Sequence, residues 1–477
     1  MIFDGGIPAS TLKVISPWVS LIEPVGLGKA DSSLEMHGLA VTSAALFGPL
    51  KPDKTSDTPA CLIDHVRVLD QDWQNDIEAW AILDRIDQFL KKEGENYQLV
   101  NLSLGPDMAV DDDEVTRWTS VLDDHFATSG HLAFVAAGNN GARDSEAGLD
   151  RICPPSDGVN LLCVGAADSR DLNWSRAPYS AQGPGRAPGM MKPDILAFGG
   201  SLTARGLFPQ GFAVLEGSKS ATVTQGTSFA APFALRTAAS VLAQRSNELS
   251  PLAVRALLVH RAEQGENDVK EVGWGRIEEN PLLLVTCDDN EALILFQGKL
   301  PVGSFLRAPV PLSEEPLIGT LSITATLVIL SDVDPEHPGA YTRGGMEIVF
   351  RPHDQKINID KKSGKRSFHP KTQSNFFSTK DYHDVPEQVL RSEGLKWETT
   401  RKGQKNKRLG TLRNPCFDIY YNHRDEGGKN SDPQQIPYAL VIGVRSEKDH
   451  QLYNKVLSRY RNRLIPIKQQ QRIQVGR

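Results

Sequence analysis

Gly226-Thr227-Ser228-Phe229-Ala230-Ala231-Pro232 is the stretch from which the rest of the chain can be read. Gly226 permits a tight turn, and Ser228 then falls in the first turn of a helix. Phe233, Ala234, Leu235, Ala238, Ala239, Val241 and Leu242 carry the helix onward, apolar enough to imply burial. Ala230, Ala231 and Ala234 are small enough for it to pass close to neighbouring backbone. A serine at the start of a buried helix sits beside the positive end of the helix dipole, which favours a developing oxyanion. Taken alone, Gly-Thr-Ser is ordinary N-cap chemistry, so a catalytic reading needs partners elsewhere.

Upstream segments offer them. Met1-Ile2-Phe3-Asp4-Gly5-Gly6 reads as a strand running into a glycine turn. Asp4 then lies at the strand's carboxyl end, where open parallel sheets gather functional groups; Asp-Gly is also common turn chemistry. Only three residues precede Asp4, so the strand reads as cut short, with an upstream segment missing or removed. A buried helix is expected to begin near His37 and run through Leu39, Val41, Ala44, Ala45 and Leu46, followed by a polar loop from Gly48 to Pro59. Leu62 to Asp70 reads as the next parallel strand. Its neighbours Asp64 and His65 point to opposite faces and make a poor acid–base pair. Helices are expected over Asp76–Lys92 and Trp118–Ser129, and strands over Leu99–Gly105 and His131–Ala137, the latter ending in the turn residues Gly138-Asn139-Asn140-Gly141.

Asp, His and Ser arrive in an order that resembles the subtilisin-like serine proteases (subtilases, peptidase S8 family). Gly226–Pro232 resembles their nucleophile signature, and His37-Gly38-x-x-Val41-x-x-x-Ala45 resembles their histidine motif, with Leu39 where Thr or Ser is usual. Asp4-Gly5-Gly6 resembles Asp-(Ser/Thr)-Gly with Gly5 in the hydroxyl position. Asn101-Leu102-Ser103-Leu104-Gly105, Ala136-Ala137-Gly138-Asn139, Cys153-Pro154-Pro155, Tyr179 to Pro184, Lys192-Pro193-Asp194 and Gly273-Trp274-Gly275 extend the likeness to about residue 280. The resemblance implies an α/β fold, a subtilisin-like three-layer sandwich with a parallel central sheet. It implies a triad of Asp4, His37 and Ser228, with the Asn139 side chain and the Ser228 N–H as oxyanion donors and Asn140 as a bystander. It also implies substrate binding along Ser103, Leu104, Gly105 and Ala136, Ala137, Gly138, an open and fairly apolar pocket. The chemistry requires no cofactor or metal. Members of that family often bind structural calcium, and this sequence offers no ligand cluster to which one is assigned.

A chain of 477 residues suggests two domains, with length enough for three. The first, residues 1–280, carries the peptidase-like motifs. In the second, residues 281–477, the pattern turns β-rich: strands at Ala292–Phe296, Leu321–Leu327, Met346–Phe350 and Tyr438–Val444 suggest a β-sandwich, with a terminal helix from Lys448 to Leu464. The basic run Arg401–Arg408 reads as a solvated loop. A net charge of −6 with 39% hydrophobic and 23% charged residues describes a globular protein and argues against nucleic acid or a membrane surface as main partner. The apolar runs are too short for a membrane helix, and the first residues lack a signal-peptide pattern. Five widely spaced cysteines form neither a disulfide framework nor a zinc site. A reducing, cytoplasmic location is the expectation, or secretion if an upstream segment belongs to the protein.

The leading expectation is a serine endopeptidase acting on protein or peptide. A second reading keeps the fold as an inactive or latent protease that serves as a partner-binding module. Lys396-Trp397-Glu398 and the β-rich region resemble bacterial subtilisin-like proteases that accompany an AAA-type ATPase in phage defence, which implies such an ATPase as a partner.

Overall fold

The computed structural model describes residues 1–51, 58–76, 78–128, 130–202, 210–245, 248–314, 317, 319–353, 357–361, 363–368, 376–377, 395–424 and 435–462. Pro52 to Asp57 of the expected polar loop, Ile77 and Ser129 of two expected helices, and Arg463 and Leu464 of the expected terminal helix lie outside the described residues.

The central sheet is parallel and seven-stranded. In chain order its strands are β1 (Ile2–Asp4), β2 (Val19–Ile22), β3 (Ile63–Arg67), β4 (Leu99–Leu102), β5 (Leu132–Ala136), β6 (Leu162–Ala167) and β7 (Ile195–Phe198). Their spatial order is β2-β3-β1-β4-β5-β6-β7. β1 has three residues, yet it is central: Ile2 pairs with His65 on one side and Asn101 on the other. Hydrogen bonds on both edges and complete burial of Ile2, Phe3 and Asp4 hold this short strand in place.

Alternation along each strand builds two apolar layers. Ile2, Phe134, Leu162 and Val164 face the side covered by α2 (Ser32–Phe47), α5 (Thr227–Arg245) and α6 (Pro251–Arg261). Phe3, Val66, Val100, Leu102, Ala133 and Val135 face α3 (Trp80–Glu93) and α4 (Arg117–Thr128). The result is the subtilisin-like three-layer α/β arrangement. A short helix α1 (Ala9–Ile15) joins β1 to β2, and a hairpin of β8 (Phe212–Leu215) and β9 (Ala221–Thr224) precedes α5.

The helix expected to begin near His37 begins five residues earlier. Asp31 caps it, its carboxylate accepting the Ser33 N–H at 2.8 Å and the Leu34 N–H at 3.3 Å. His37 consequently projects from the second turn of α2, not from its start.

Two brief helices, α7 (Val269–Val272) and α8 (Pro281–Val285), lead into the β-rich part. There β10 (Glu291–Pro301), β18 (Gln435–Ser446), β12 (Thr320–Ile329) and β16 (Thr400–Arg408) form an antiparallel sheet in that spatial order. β11 (Phe305–Pro309), β17 (Cys416–His423) and β13 (Gly344–Arg351) form a second sheet. Ile323, Ala325, Leu440 and Ile442 of the first pack on Met346, Ile348, Phe417 and Ile419 of the second, giving a sandwich core. A hairpin of β14 (Ile357–Ile359) and β15 (Arg366–Phe368) and a final helix α9 (Leu452–Tyr460) complete the described elements.

The opposite face of the four-stranded sheet is covered in part. Val328, Leu330, Ala439 and Val441 join the core around α5 and α6. Polar contacts reinforce this seam: Asn160 Nδ2 donates to Ser331 O at 2.8 Å, Tyr341 Oη to Asp123 Oδ2 at 2.9 Å, and Thr399 Oγ1 to Val159 O at 2.7 Å. Glu398 accepts the Gly189 N–H, and burial pushes its carboxyl up to about 7.

Arg401–Arg408, expected as a solvated loop, is most of strand β16. Lys402 Nζ donates to Val259 O and Ala262 O, satisfying carbonyls at the end of α6, and Lys407 Nζ lies 5.6 Å from the Phe350 ring centre. Gln404, Asn406 and Arg408 face solvent. Alternation, not charge density, governs that stretch. Among the described residues no helix is long and apolar enough to cross a membrane.

Candidate active site

The strand order places β2 and β3 on one side of β1 and β4 to β7 on the other. In open parallel sheets, functional groups gather at the carboxyl ends where the order reverses. Asp4 ends β1, Ser103 directly follows β4, and Gly138-Asn139 follow β5, so neighbouring strands deliver these residues to one edge.

His37 Nδ1 lies 2.9 Å from Asp4 Oδ1. A carboxylate can only accept here, so Nδ1 carries the proton and Nε2 is left with a free lone pair. Asp4 is fully buried and the His37 side chain is 36% exposed. The charge on Asp4 raises the His37 pKa above its ordinary value, against the opposing effect of burial. Asp4 Oδ1 also accepts the Gly5 N–H at 2.7 Å, while the buried Oδ2 has no partner among the described residues. Gly5 itself is set by packing against α2. A Cβ at this position would lie 2.5 Å from Leu34 Cβ and 2.6 Å from Leu34 O, so α2 leaves no room for the Ser or Thr side chain that the resemblance leads one to expect.

Ser228 is the second residue of α5. Pro232 has no N–H, so the Ser228 carbonyl loses its helical donor four residues on. Ser103 Oγ replaces it, donating to Ser228 O at 3.0 Å, and Asn101 Nδ2 in turn donates to Ser103 Oγ at 2.9 Å. The turn before the serine is held too: the Gly226 N–H donates to Tyr179 Oη at 3.0 Å. The ring of Phe229, next to Ser228, lies 6.1 Å from the His37 ring between centroids.

Asn139 Oδ1 accepts both the Thr227 N–H and the Thr227 hydroxyl, each at 3.0 Å. With its oxygen so occupied, the amide must turn Nδ2 away from Thr227. Neither Asn139 Nδ2 nor the Ser228 N–H has an acceptor among the described residues. Asn140 is engaged elsewhere, donating to Leu149 O and Arg151 O at 2.7 Å each, which leaves it a structural part.

Ser228 and Asn139 border a cavity of about 320 Å³. Ser103, Leu104, Gly105, Ala136 and Gly138 line it. Ala137 does not; it faces the core beside Val110 and Ile152. Strand alternation accounts for this, since Ala136 and Ala137 project oppositely. Cys153, Pro154, Thr227 and an Arg143–Asp107 ion pair of 2.6 Å complete the wall and were not singled out as site residues. No local pattern marks Arg143 or Asp107, which meet only through folding. Asp64 and His65 diverge as expected, Asp64 accepting Tyr97 Oη at 2.7 Å and His65 turning to the opposite face. None of the five cysteines is in a disulfide, and no group of three or more His, Cys, Asp or Glu among the described residues is arranged to hold a metal ion.

Among solved structures, the chain is similar to a mutant of the protease domain of PatA (20% identity, 59% of this chain and 93% of that one, TM-score 0.45). It is also similar to the prenylagaramide maturation protease PagA (19% identity, 60% and 93%, TM-score 0.45) and to the PatG macrocyclase in complex with peptide (17% identity, 59% and 90%, TM-score 0.42). No curated protein matches the chain. Residues 18–275, more than half of the 477, match the family described as Peptidase_S8, a span that holds His37, Asn139 and Ser228 and begins after Asp4. The chain belongs to the subtilase family.

Proposed function

We propose that this subtilase is a serine endopeptidase that hydrolyses protein or peptide substrates through Asp4, His37, Ser228 and Asn139. The observation that carries the reading is the 2.9 Å Asp4–His37 contact, with the ring of Phe229, next to Ser228, 6.1 Å from the His37 ring, and a cavity shared by Ser228 and Asn139. His37 Nε2 takes the Ser228 hydroxyl proton as Oγ attacks the scissile carbonyl, and returns it to the leaving amine. Asp4 holds the imidazole in the Nδ1–H form and stabilises the imidazolium, without taking a proton itself. Asn139 Nδ2 and the Ser228 N–H receive the oxyanion, aided by the N-terminal end of α5. Water activated by His37 then resolves the acyl-enzyme. The substrate backbone runs along Ser103 to Gly105, and an apolar side chain enters the cavity beside Ala136 and Gly138.

Ser228→Ala tests this directly. It is expected to abolish labelling by a fluorophosphonate probe and to lower kcat on an unstructured protein by about 10⁶. Full hydrolysis by that variant would end the assignment. Wild-type protein that takes no probe would favour a latent, partner-binding fold instead. The proposed association with an AAA-type ATPase draws on Lys396-Trp397-Glu398. Trp397 and Glu398 are buried within this chain, a position that suits an internal docking role, so the peptidase reading is preferred.

A further inference from the structure

One buried histidine has no part in the scheme above. His65, in the middle of β3, is 0% exposed and lies beneath the Asp4 turn. The Gly6 N–H donates to His65 Nε2 at 3.1 Å, which requires that nitrogen to be unprotonated. The proton is therefore on Nδ1, which donates to Thr42 Oγ1 at 2.9 Å. A single ring thus joins the turn after β1, the middle of α2 and the strand between β1 and β2. Gly38, directly after His37, completes the fit: a Cβ there would lie 2.2 Å from Gly6 O and 2.9 Å from His65 Cε1. The helix bearing His37 is seated on the turn bearing Asp4, with the His65 ring wedged alongside.

We infer that His65 is a positioning residue for the reaction, its imidazole fixing the Gly5–Gly6 turn that aims Asp4 at His37. The inference rests on the serine-protease reading. Its physical basis is the shortage of other restraints on the carboxylate. Among the described residues both bonds to the Asp4 carboxylate fall on Oδ1, Oδ2 has none, and Gly5 supplies no hydroxyl. The carboxylate's direction depends on backbone that two successive glycines would otherwise leave free. The ring must stay neutral to serve. An imidazolium would turn a second N–H against the Gly6 N–H and add a buried positive charge. Asp4 on β1, His37 on α2 and the Met1 amino group are the ionisable groups facing it; burial dominates and lowers its pKa to about 4.

The test uses the full chain labelled with ¹⁵N in histidine. His65 is expected to show unprotonated Nε2 and protonated Nδ1, unchanged from about pH 5 to 9, while His37 titrates above its ordinary 6.5. A His65 that titrates in that window, or carries its proton on Nε2, overturns the inference without any mutation. In kinetics, His65→Gln is expected to lower kcat by up to about 10²-fold, the scale of a 1 Å misplacement, with KM nearly unchanged. The acid limb of kcat/KM should move down towards 6.5 as the Asp4 contact loosens. If His65→Gln does not fold, Thr42→Val keeps the ring and removes the acceptor of its Nδ1–H; a smaller fall in kcat with the same downward limb shift is expected. A variant that only melts earlier, with kcat and limb unmoved, refutes positioning while leaving the protease reading intact. Wild-type protein that neither hydrolyses substrate nor takes the fluorophosphonate refutes both.

Discussion

Replacing Asn139 by Asp separates the shape of the side chain from its hydrogen. The two are nearly isosteric, and an aspartate oxygen can still accept the two 3.0 Å bonds from the Thr227 N–H and hydroxyl. The fold should therefore tolerate Asn139→Asp. The atom that replaces Nδ2 cannot donate to an oxyanion when ionised. Loss of one such donor costs about 2.7–4 kcal/mol of transition-state stabilisation, or 10²–10³ in kcat. The negative oxygen adds repulsion, so the upper end of that range is expected as a minimum. KM should barely move, because the donor acts on charge that develops only in the transition state. Steady-state kinetics on a chromogenic peptide, with thermal melting as a check on folding, decide the matter. A variant with kcat within about threefold of wild type would mean that Nδ2 does not face the oxyanion, and the assigned geometry would be wrong.

Three other perturbations follow from the same contacts. Asp4→Asn removes the charge that holds His37 above 6.5; since catalysis needs neutral His37, the acid limb of kcat/KM should shift down while its plateau falls by about 10⁴. A pH–rate profile with an unmoved limb contradicts this. Ser103→Ala leaves the Ser228 carbonyl with no donor, because Pro232 cannot supply one, and should cost roughly 1–3 kcal/mol in urea denaturation. Glu398 keeps its proton in the folded chain to about pH 7 but loses it near 4.5 when unfolded, so its contribution to stability falls as pH rises between these values. Glu398→Gln retains an acceptor for the Gly189 N–H without the buried charge. It should be more stable than wild type by roughly 3 kcal/mol at pH 8 and little different at pH 4.5, with equal stability at both pH values counting against the assignment.

The parts of this molecule legible in its sequence are those where one residue type is forced by local geometry. The glycine-threonine-serine turn, the strand ending in Asp4 and the alternation in β12 all announce themselves. Gly5 could be noticed as a departure but not explained, since the backbone of Leu34 that excludes a side chain comes from a helix 29 positions later. The start of α2 was hidden because Asp31 caps it within a polar stretch, ahead of the first apolar residues. β16 was obscured by its lysines, two of which, Lys402 and Lys407, find carbonyls and a ring that only tertiary folding supplies. His65 was visible, and strand alternation rightly separated it from Asp64. What alternation could not reveal was that its own face abuts the Gly6 amide.

The grip of the β-sandwich on Val159 and Asn160 reaches further than its own seam. These residues end a segment whose start, Cys153 and Pro154, walls the cavity beside Ser228. A foundation laid some 170 to 240 positions downstream thus underpins the place where a substrate side chain would seat. Trimming the chain near residue 280 would remove the anchors of the segment that forms one wall of that recess.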